Sequence, residues 1–300
     1  MPAREPNAYV GRFAPSPTGP LHFGSLVAAA ASFLEARANH GRWLLRIEDI
    51  DPPREQRGAA QAIVEALERY GFEWDGDVYF QSASRAAHDA AVATLIERGL
   101  AYACHCSRSD LADALQGDLG SIYPGTCRDR QVSGESAIRI RTNDSPIEFE
   151  DALQGAITQR LESESGDFVI RRRDGLIAYH LAVVVDDENQ GVTDVVRGID
   201  LLDSTPRQIW LQRELGFRTP RYAHIPIITN SKGEKLSKST AAAAICEEDV
   251  PATLVATLRF LRLSPPDKLA REHVSNIWSW ALENWQLGKL SGQKTLVKTA

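Results

Sequence analysis

Lysine is absent from the first 231 residues of this 300-residue chain; all seven lysines lie at or beyond Lys232, three of them (Lys232, Lys235, Lys238) within seven positions. No apolar run approaches the roughly 20 residues that cross a bilayer, so a protein spanning the membrane by helices drops out, and no membrane partner is expected. The start, MPAREPNAYVGRF, lacks the apolar segment of a secretory signal and carries Glu5, so the expected compartment is the cytoplasm. Cysteine is scarce, at four residues, and in a reducing compartment these are thiols or metal ligands rather than disulfide halves. With 21 Gly, 15 Pro and 25% charged residues, collagen-like and wholly disordered classes drop out. No internal repeat and no Ser-His-Asp arrangement is found, so a covalent enzyme intermediate is not expected.

What is present is an ordinary globular composition, 43% hydrophobic, enough to bury the core of one large domain or two modest ones. The net charge of -6 argues at first against a nucleic-acid partner, but the charge is unevenly spread. Residues 1–200 hold 20 basic against 31 acidic side chains, whereas the last hundred hold 14 against 9.

Strand-like and helix-like segments alternate through the first half, the rhythm of a parallel sheet flanked by helices. Strands are expected at 9–14 and 42–48, and helices at 24–38, 54–70 (with Ile63, Val64 and Leu67 on one face) and 84–98. The rhythm stops at a cysteine-bearing stretch with short β-like runs at 137–141 and 147–151, then resumes near 168. It continues through an apolar segment at 178–185, a strand at 193–196, a helix at 205–215 and a strand at 224–228. Residues 251–285 read as helical, with Trp278, Trp280 and Trp285 at a helical spacing that favours core packing over stacking on bases, and 287–300 as a polar, basic tail. The expected organisation is a catalytic α/β domain in two halves, 1–103 and 168–250, an insertion at 104–167 and a short helical C-terminal region at 251–300.

Two motifs carry chemistry. The stretch Arg12-Phe13-Ala14-Pro15-Ser16-Pro17-Thr18-Gly19-Pro20-Leu21-His22-Phe23-Gly24-Ser25 joins a strand to a helix through a rigid turn, and the helix start offers unpaired N–H groups to an anion such as a nucleotide phosphate. His22 can donate there to a phosphate oxygen whose charge grows in a transition state. The second motif, Lys235-Leu236-Ser237-Lys238-Ser239, suits a phosphate clamp, in which flexible ammonium groups follow a departing pyrophosphate. A third cluster, Cys104-His105-Cys106 with Cys127, reads as a metal site. Three thiolates leave a fourth position for Tyr123, His105 or water.

Leu21-His22-Phe23-Gly24 and Lys235-Leu236-Ser237-Lys238-Ser239 resemble the HIGH and KMSKS signatures of class I aminoacyl-tRNA synthetases. The longer match RFAPSPTGPLHFGS, with Arg46-Ile47-Glu48-Asp49-Ile50-Asp51, resembles their glutamyl branch. The resemblance covers nearly the whole chain. It implies a Rossmann-type nucleotide-binding domain with an inserted zinc-bearing subdomain and a short helical C-terminal part. The 50 or so residues after the lysine motif leave room for few helices, which resembles the shortened paralogue that attaches glutamate to queuosine in the anticodon of tRNA(Asp). The implied partners are ATP, L-glutamate and tRNA(Asp) carrying queuosine, with a monomer as the default state.

The implied roles are His22 and Lys238 in catalysis; His22, Gly24, Lys235, Ser237 and Lys238 at ATP; and Arg12, Ser16, Glu48, Tyr179 and Arg197 at glutamate, where arginine forks meet carboxylates and Glu48 meets the ammonium. The family pattern C-x-C followed by Y-x₃-C implies Cys104, Cys106, Tyr123 and Cys127 around one structural Zn²⁺, and Mg²⁺ accompanies ATP. Two other readings stand beside this one: a truncated synthetase that charges the tRNA 3′ end, and a non-catalytic zinc-bearing RNA-binding remnant. Arg46, Asp49 and Asp51 read as a structural ion-pair network, and Arg139, Arg141 and Arg171-Arg172-Arg173 as solvated charge rather than RNA contacts.

Overall fold

A computed structural model describes residues 8–297, apart from 108, 113, 118–119, 230–244 and 246–248. In chain order the elements are β1 (Val10–Phe13), α1 (Phe23–Ala38), β2 (Arg42–Ile47), α2 (Ala59–Arg69), β3 (Tyr79–Phe80), α3 (Arg85–Glu97), β4 (Ala101–Cys104), β5 (Gln116–Gly117) and β6 (Gly120–Ser121). They continue with β7 (Ala137–Ile140), β8 (Ile147–Asp151), β9 (Gly155–Gln159), α4 (Leu161–Glu164), β10 (Val169–Arg171), α5 (Tyr179–Gln190), β11 (Asp194–Gly198), α6 (Thr205–Leu215), β12 (Arg221–Ile225) and β13 (Ile227–Thr229). After the second motif come α7 (Val250–Phe260), α8 (Val274–Asn284) and β14 (Thr295–Val297). No helix among the described residues is long and apolar enough to cross a membrane.

The central sheet is parallel. β2 lies between β1 and β3, and β11 pairs with β12 in the register Asp194↔Arg221 to Gly198↔Ile225. The two halves meet where Val10 O accepts the Thr193 N–H (2.9 Å) and Val10 N–H donates to Thr193 Oγ1 (2.8 Å). The resulting order, β3-β2-β1-β11-β12, reverses direction between β1 and β11. In such sheets a crevice opens beyond the C-terminal strand ends at that point. The functional residues of β1, β2 and β11 all lie there.

α1 is buried on most of its surface because its alanines let it sit close between the sheet and the C-terminal helices α7 and α8. Phe33, Trp43, Phe72 and Trp278 form an aromatic cluster beneath it, with ring centroids 4.9–5.5 Å apart, and the Trp278 indole N–H donates to Tyr70 O at 2.9 Å. Trp278 and Trp285 are therefore core residues, as their helical spacing implies, whereas Trp280 is half-buried at the edge of the same core.

Within the cysteine-bearing stretch, β7 forms an antiparallel sheet with β4 and β10, and β8 runs parallel to β12 at Tyr222↔Asp151. Ile138, Ile140 and Ile147 pack in one cluster with Leu181, Val195 and Ile209. Three sequence expectations shift. The second helix starts at Ala59, not 54, because Pro52–Arg54 form a 3-10 turn and Gly58 takes a left-handed φ of +81°. Pro226 divides the expected strand at 224–228 between β12 and β13. Part of the polar tail is ordered, since β14 pairs in parallel with β13.

Candidate active site

The β1–α1 turn is pinned from outside. Pro15 O accepts the Glu48 N–H (3.0 Å), Pro17 O accepts the Gln56 N–H (2.9 Å), and Gly19 turns at φ +137° against the Gln56 side chain, a conformation that disfavours any side chain there. His22 then caps α1, its Nδ1 accepting the Ser25 N–H at 3.2 Å. In the neutral ring that bond leaves the proton on Nε2, 3.0 Å from Ser25 Oγ, so the nitrogen that can donate to a phosphate is fixed by the cap. The same helix end carries the positive end of the α1 dipole, which favours an anion.

Arg12, Ser16, His22, Gly24, Glu48, Tyr179 and Arg197 all line one cavity of about 640 Å³ at the switch point of the sheet. Seven residues separated by up to 185 positions are brought together. Lys235, Ser237 and Lys238 lie outside the described residues, as does Cys246.

Arg12 and Glu48 at the cavity belong to a buried charge network that continues behind it through Arg46 and Asp187. Asp187 on α5 accepts Arg12 Nε (3.2 Å) and Nη2 (3.4 Å) and Arg46 Nη2 (2.5 Å). Burial raises the Asp187 carboxyl, but the two arginines outweigh it and hold it below its usual range. One edge of Arg12 is thus occupied by Asp187 rather than turned to a ligand. Among the described residues Glu48 meets no bidentate guanidinium, and its one ion pair is with Arg46 Nε at 4.0 Å. Burial pushes its carboxyl up to about 7, against the lowering pull of Arg46 and Arg12. It is a carboxylate poised to gain from a cation.

Arg197 is the complementary case. Its Nε donates to His224 Nε2 (3.0 Å), and its Nη2 to Thr205 Oγ1 and Gln208 Oε1 (both 2.8 Å), all neutral acceptors. Its Nη1 is buried with no partner, and among the described residues no carboxylate forms an ion pair with it. A buried guanidinium with an unpaired N–H is costly, and a ligand carboxylate relieves that cost. Tyr179, the first residue of α5, has its phenol raised by burial and stays a neutral donor.

Asp49 and Asp51 behave structurally. Asp49 accepts the Ser82 N–H (2.8 Å) and hydroxyl (2.6 Å), and Asp51 pairs with Arg54 and with Arg172 (3.2 Å).

The three clustered cysteines form a candidate metal centre. The sulfurs of Cys104, Cys106 and Cys127 lie within 4.8 Å of one another, close enough to share one ion. The Tyr123 hydroxyl completes the cluster, 3.4 Å from Cys104 Sγ and 3.8 Å from Cys106 Sγ, while accepting the Cys127 N–H at 2.9 Å. The His105 side chain is exposed and is not part of that cluster. Gly166 holds the loop close, since a Cβ there would fall 2.4 Å from Tyr123 O, at a φ of +68°. Sequence reasoning missed Arg139. It is buried, donates from Nε to Cys104 Sγ (3.3 Å) and stacks 3.8 Å over the Tyr123 ring, a cation beside a thiol-rich site. Its alternation within β7 was the only signal, and the pair with Arg141 masked it. Asp187, His224 and Asp151 were likewise missed, because each acts through a partner far away in the chain.

Residues 9–267 match the catalytic-domain family of class I tRNA synthetases (E and Q). A glutamyl-Q tRNA(Asp) synthetase of Pseudomonas aeruginosa is 53% identical over 291 residues, covering 97% of this chain and 98% of its own length. One from Dechloromonas aromatica is 50% identical over 297 residues, covering 97% and 99%. Among solved structures, a glutamate-tRNA synthetase from Elizabethkingia anophelis shares the fold with a TM-score of 0.80 at 24% identity, covering 97% of this chain and 68% of its own.

Proposed function

Because the chain belongs to the class I tRNA synthetases of the E and Q type, a family of ligases that use ATP, an amino acid and tRNA, we propose that it activates glutamate and passes the glutamyl group to queuosine in the anticodon of tRNA(Asp). The acceptor assignment is supported by relatives of nearly equal length that bear that name at 50–53% identity. The choice of a dianionic amino acid rests above all on one observation: the buried, cavity-lining Arg197, whose Nη1 lacks a hydrogen-bond partner.

In this reading Arg197 and the remaining edge of Arg12 receive the substrate carboxylates, Glu48 receives the ammonium, and Ser16 and Tyr179 add hydroxyl contacts. A carboxylate oxygen of glutamate attacks the α-phosphorus of ATP in line, forming glutamyl adenylate as the bond to pyrophosphate breaks. His22 Nε2–H and the N-terminal turn of α1, which includes Gly24, stabilise the charge that develops on the phosphate oxygens. Lys235, Ser237 and Lys238 follow the leaving pyrophosphate, and Mg²⁺ bound with ATP would add neutralisation of the phosphate charge. In the second step a hydroxyl of the queuosine cyclopentene ring attacks the mixed anhydride and AMP departs.

The donor set of the cysteine cluster suits zinc, three soft thiolates with an oxygen at a fourth corner. Cys104, Cys106, Cys127 and Tyr123 would hold it, tying β4 to the loop before β7. It would supply a structural cross-link, and none of the four residues lines the cavity. The reading is tested by pyrophosphate exchange into ATP with glutamate as the only added amino acid. Exchange without RNA is expected, and its absence both with and without tRNA would refute an enzyme of this type.

A further inference from the structure

Behind Arg197 lies a second layer of buried polar groups that never reaches the cavity. His224 stands opposite Arg197 in the β11–β12 register, and Asp151, at the end of β8, stands behind His224. His224 is 0% and Asp151 1% exposed. His224 Nε2 accepts from Arg197 Nε at 3.0 Å and lies 3.1 Å from the Thr205 hydroxyl; its Nδ1 lies 2.6 Å from Asp151 Oδ2.

One tautomer alone satisfies this chain. Arg197 Nε–H can only donate, so Nε2 must carry a lone pair, and the ring proton must sit on Nδ1, facing the carboxylate. Asp151 cannot turn away, because its Oδ1 accepts the backbone N–H groups of Leu153 (3.0 Å), Gln154 (2.9 Å) and His224 (3.2 Å). Both the carboxylate and the ring are therefore fixed by the β8–β9 turn and the sheet.

We propose that Asp151 and His224 are positioning residues: together they select the His224 tautomer that grips Arg197 Nε, and so aim the unpartnered Nη1 at the substrate carboxylate. A fork tethered only by flexible neutral groups would sample several orientations; one locked by a ring and a carboxylate is preorganised for a planar anion. This rests on the reading that Arg197 holds a carboxylate of glutamate.

Asp151→Asn is the discriminating variant. Its remaining oxygen stays with the three backbone donors, so its amide N–H₂ faces His224 Nδ1. That nitrogen must then accept, and the ring proton moves to Nε2, against the donors of Arg197. With ¹⁵N-labelled histidine, the His224 ring is expected to change from the Nδ1–H to the Nε2–H form. The glutamate concentration for half-maximal pyrophosphate exchange is expected to rise by about tenfold or more, the scale of one disrupted bond to a charged group, while that for ATP stays within about twofold. His224→Gln, which keeps an acceptor, is expected to recover much of the glutamate affinity that His224→Leu loses, and this pair carries the test if Asp151→Asn does not fold.

An unchanged tautomer, an unchanged glutamate requirement in Asp151→Asn, or equal defects in the Gln and Leu variants would each overturn the proposal. Arg197→Met separates the two levels. A glutamate requirement unaltered by that change overturns the underlying reading and the proposal with it; a raised one beside a normal Asp151→Asn overturns the proposal alone.

Discussion

Glu48→Gln should make the protein more stable and less able to bind glutamate. Burial places the Glu48 carboxyl at about 7, up from 4.5, even with Arg46 and Arg12 nearby. Between those two values the folded state keeps a proton that the unfolded state has lost, so stability falls as pH rises through the window. The shift corresponds to about 3 kcal/mol once pH is well above 7. A neutral amide of the same shape escapes that cost. At pH 8 the variant should melt higher, by about 5 °C for a chain of this length, and the difference should shrink to about a quarter of that by pH 5, vanishing only below 4.5, where Glu48 is protonated in the unfolded state as well. The assay is thermal unfolding of the ligand-free protein and its variant across pH 5–8. The same substitution removes the proposed partner of the substrate ammonium, so half-saturation by glutamate in pyrophosphate exchange should rise by about tenfold or more. For the parent protein that requirement should also worsen as pH drops below 7. A variant less stable at pH 8, or a stability difference independent of pH, would refute the reasoning.

Two further outcomes are expected. Chelation of the metal should expose three additional reactive thiols, and Cys127→Ser should lower bound zinc below one per chain and lower the melting temperature; a parent protein purified with no zinc and fully reactive thiols would count against the site. Lys238→Ala should slow adenylate formation by about a hundredfold at saturating glutamate, leaving the glutamate requirement within about threefold, and an undiminished rate would remove the lysine from the pyrophosphate clamp.

Local features of this chain were legible in its sequence where the physics is local. Arg12, Ser16, His22 and Gly24 sit in one contiguous turn whose prolines and glycine dictate its shape, and the helices at 84–98 and 205–215 agree closely with α3 and α6. Long-range polar pairing was not legible. Arg12 meets Asp187 across 175 positions, and Asp151 meets His224 across 73, and no periodicity encodes such contacts. Nor does a polar C-terminal sequence announce that β14 will find the edge of β13. The error over Arg139 has a different origin. Charge spacing in β7 reads as a solvated face, but the thiols and the Tyr123 ring give its guanidinium a buried partner that composition cannot show.

The acceptor is the centre of the account, and one comparison addresses it. Labelled glutamate, ATP and the protein are incubated with tRNA(Asp) containing queuosine, with tRNA(Asp) lacking it, and with tRNA(Glu), and the labelled fragment is located by nuclease digestion. Label in the anticodon of the queuosine-bearing tRNA(Asp) alone is the predicted result. Label at the 3′ end of tRNA(Glu) would contradict it.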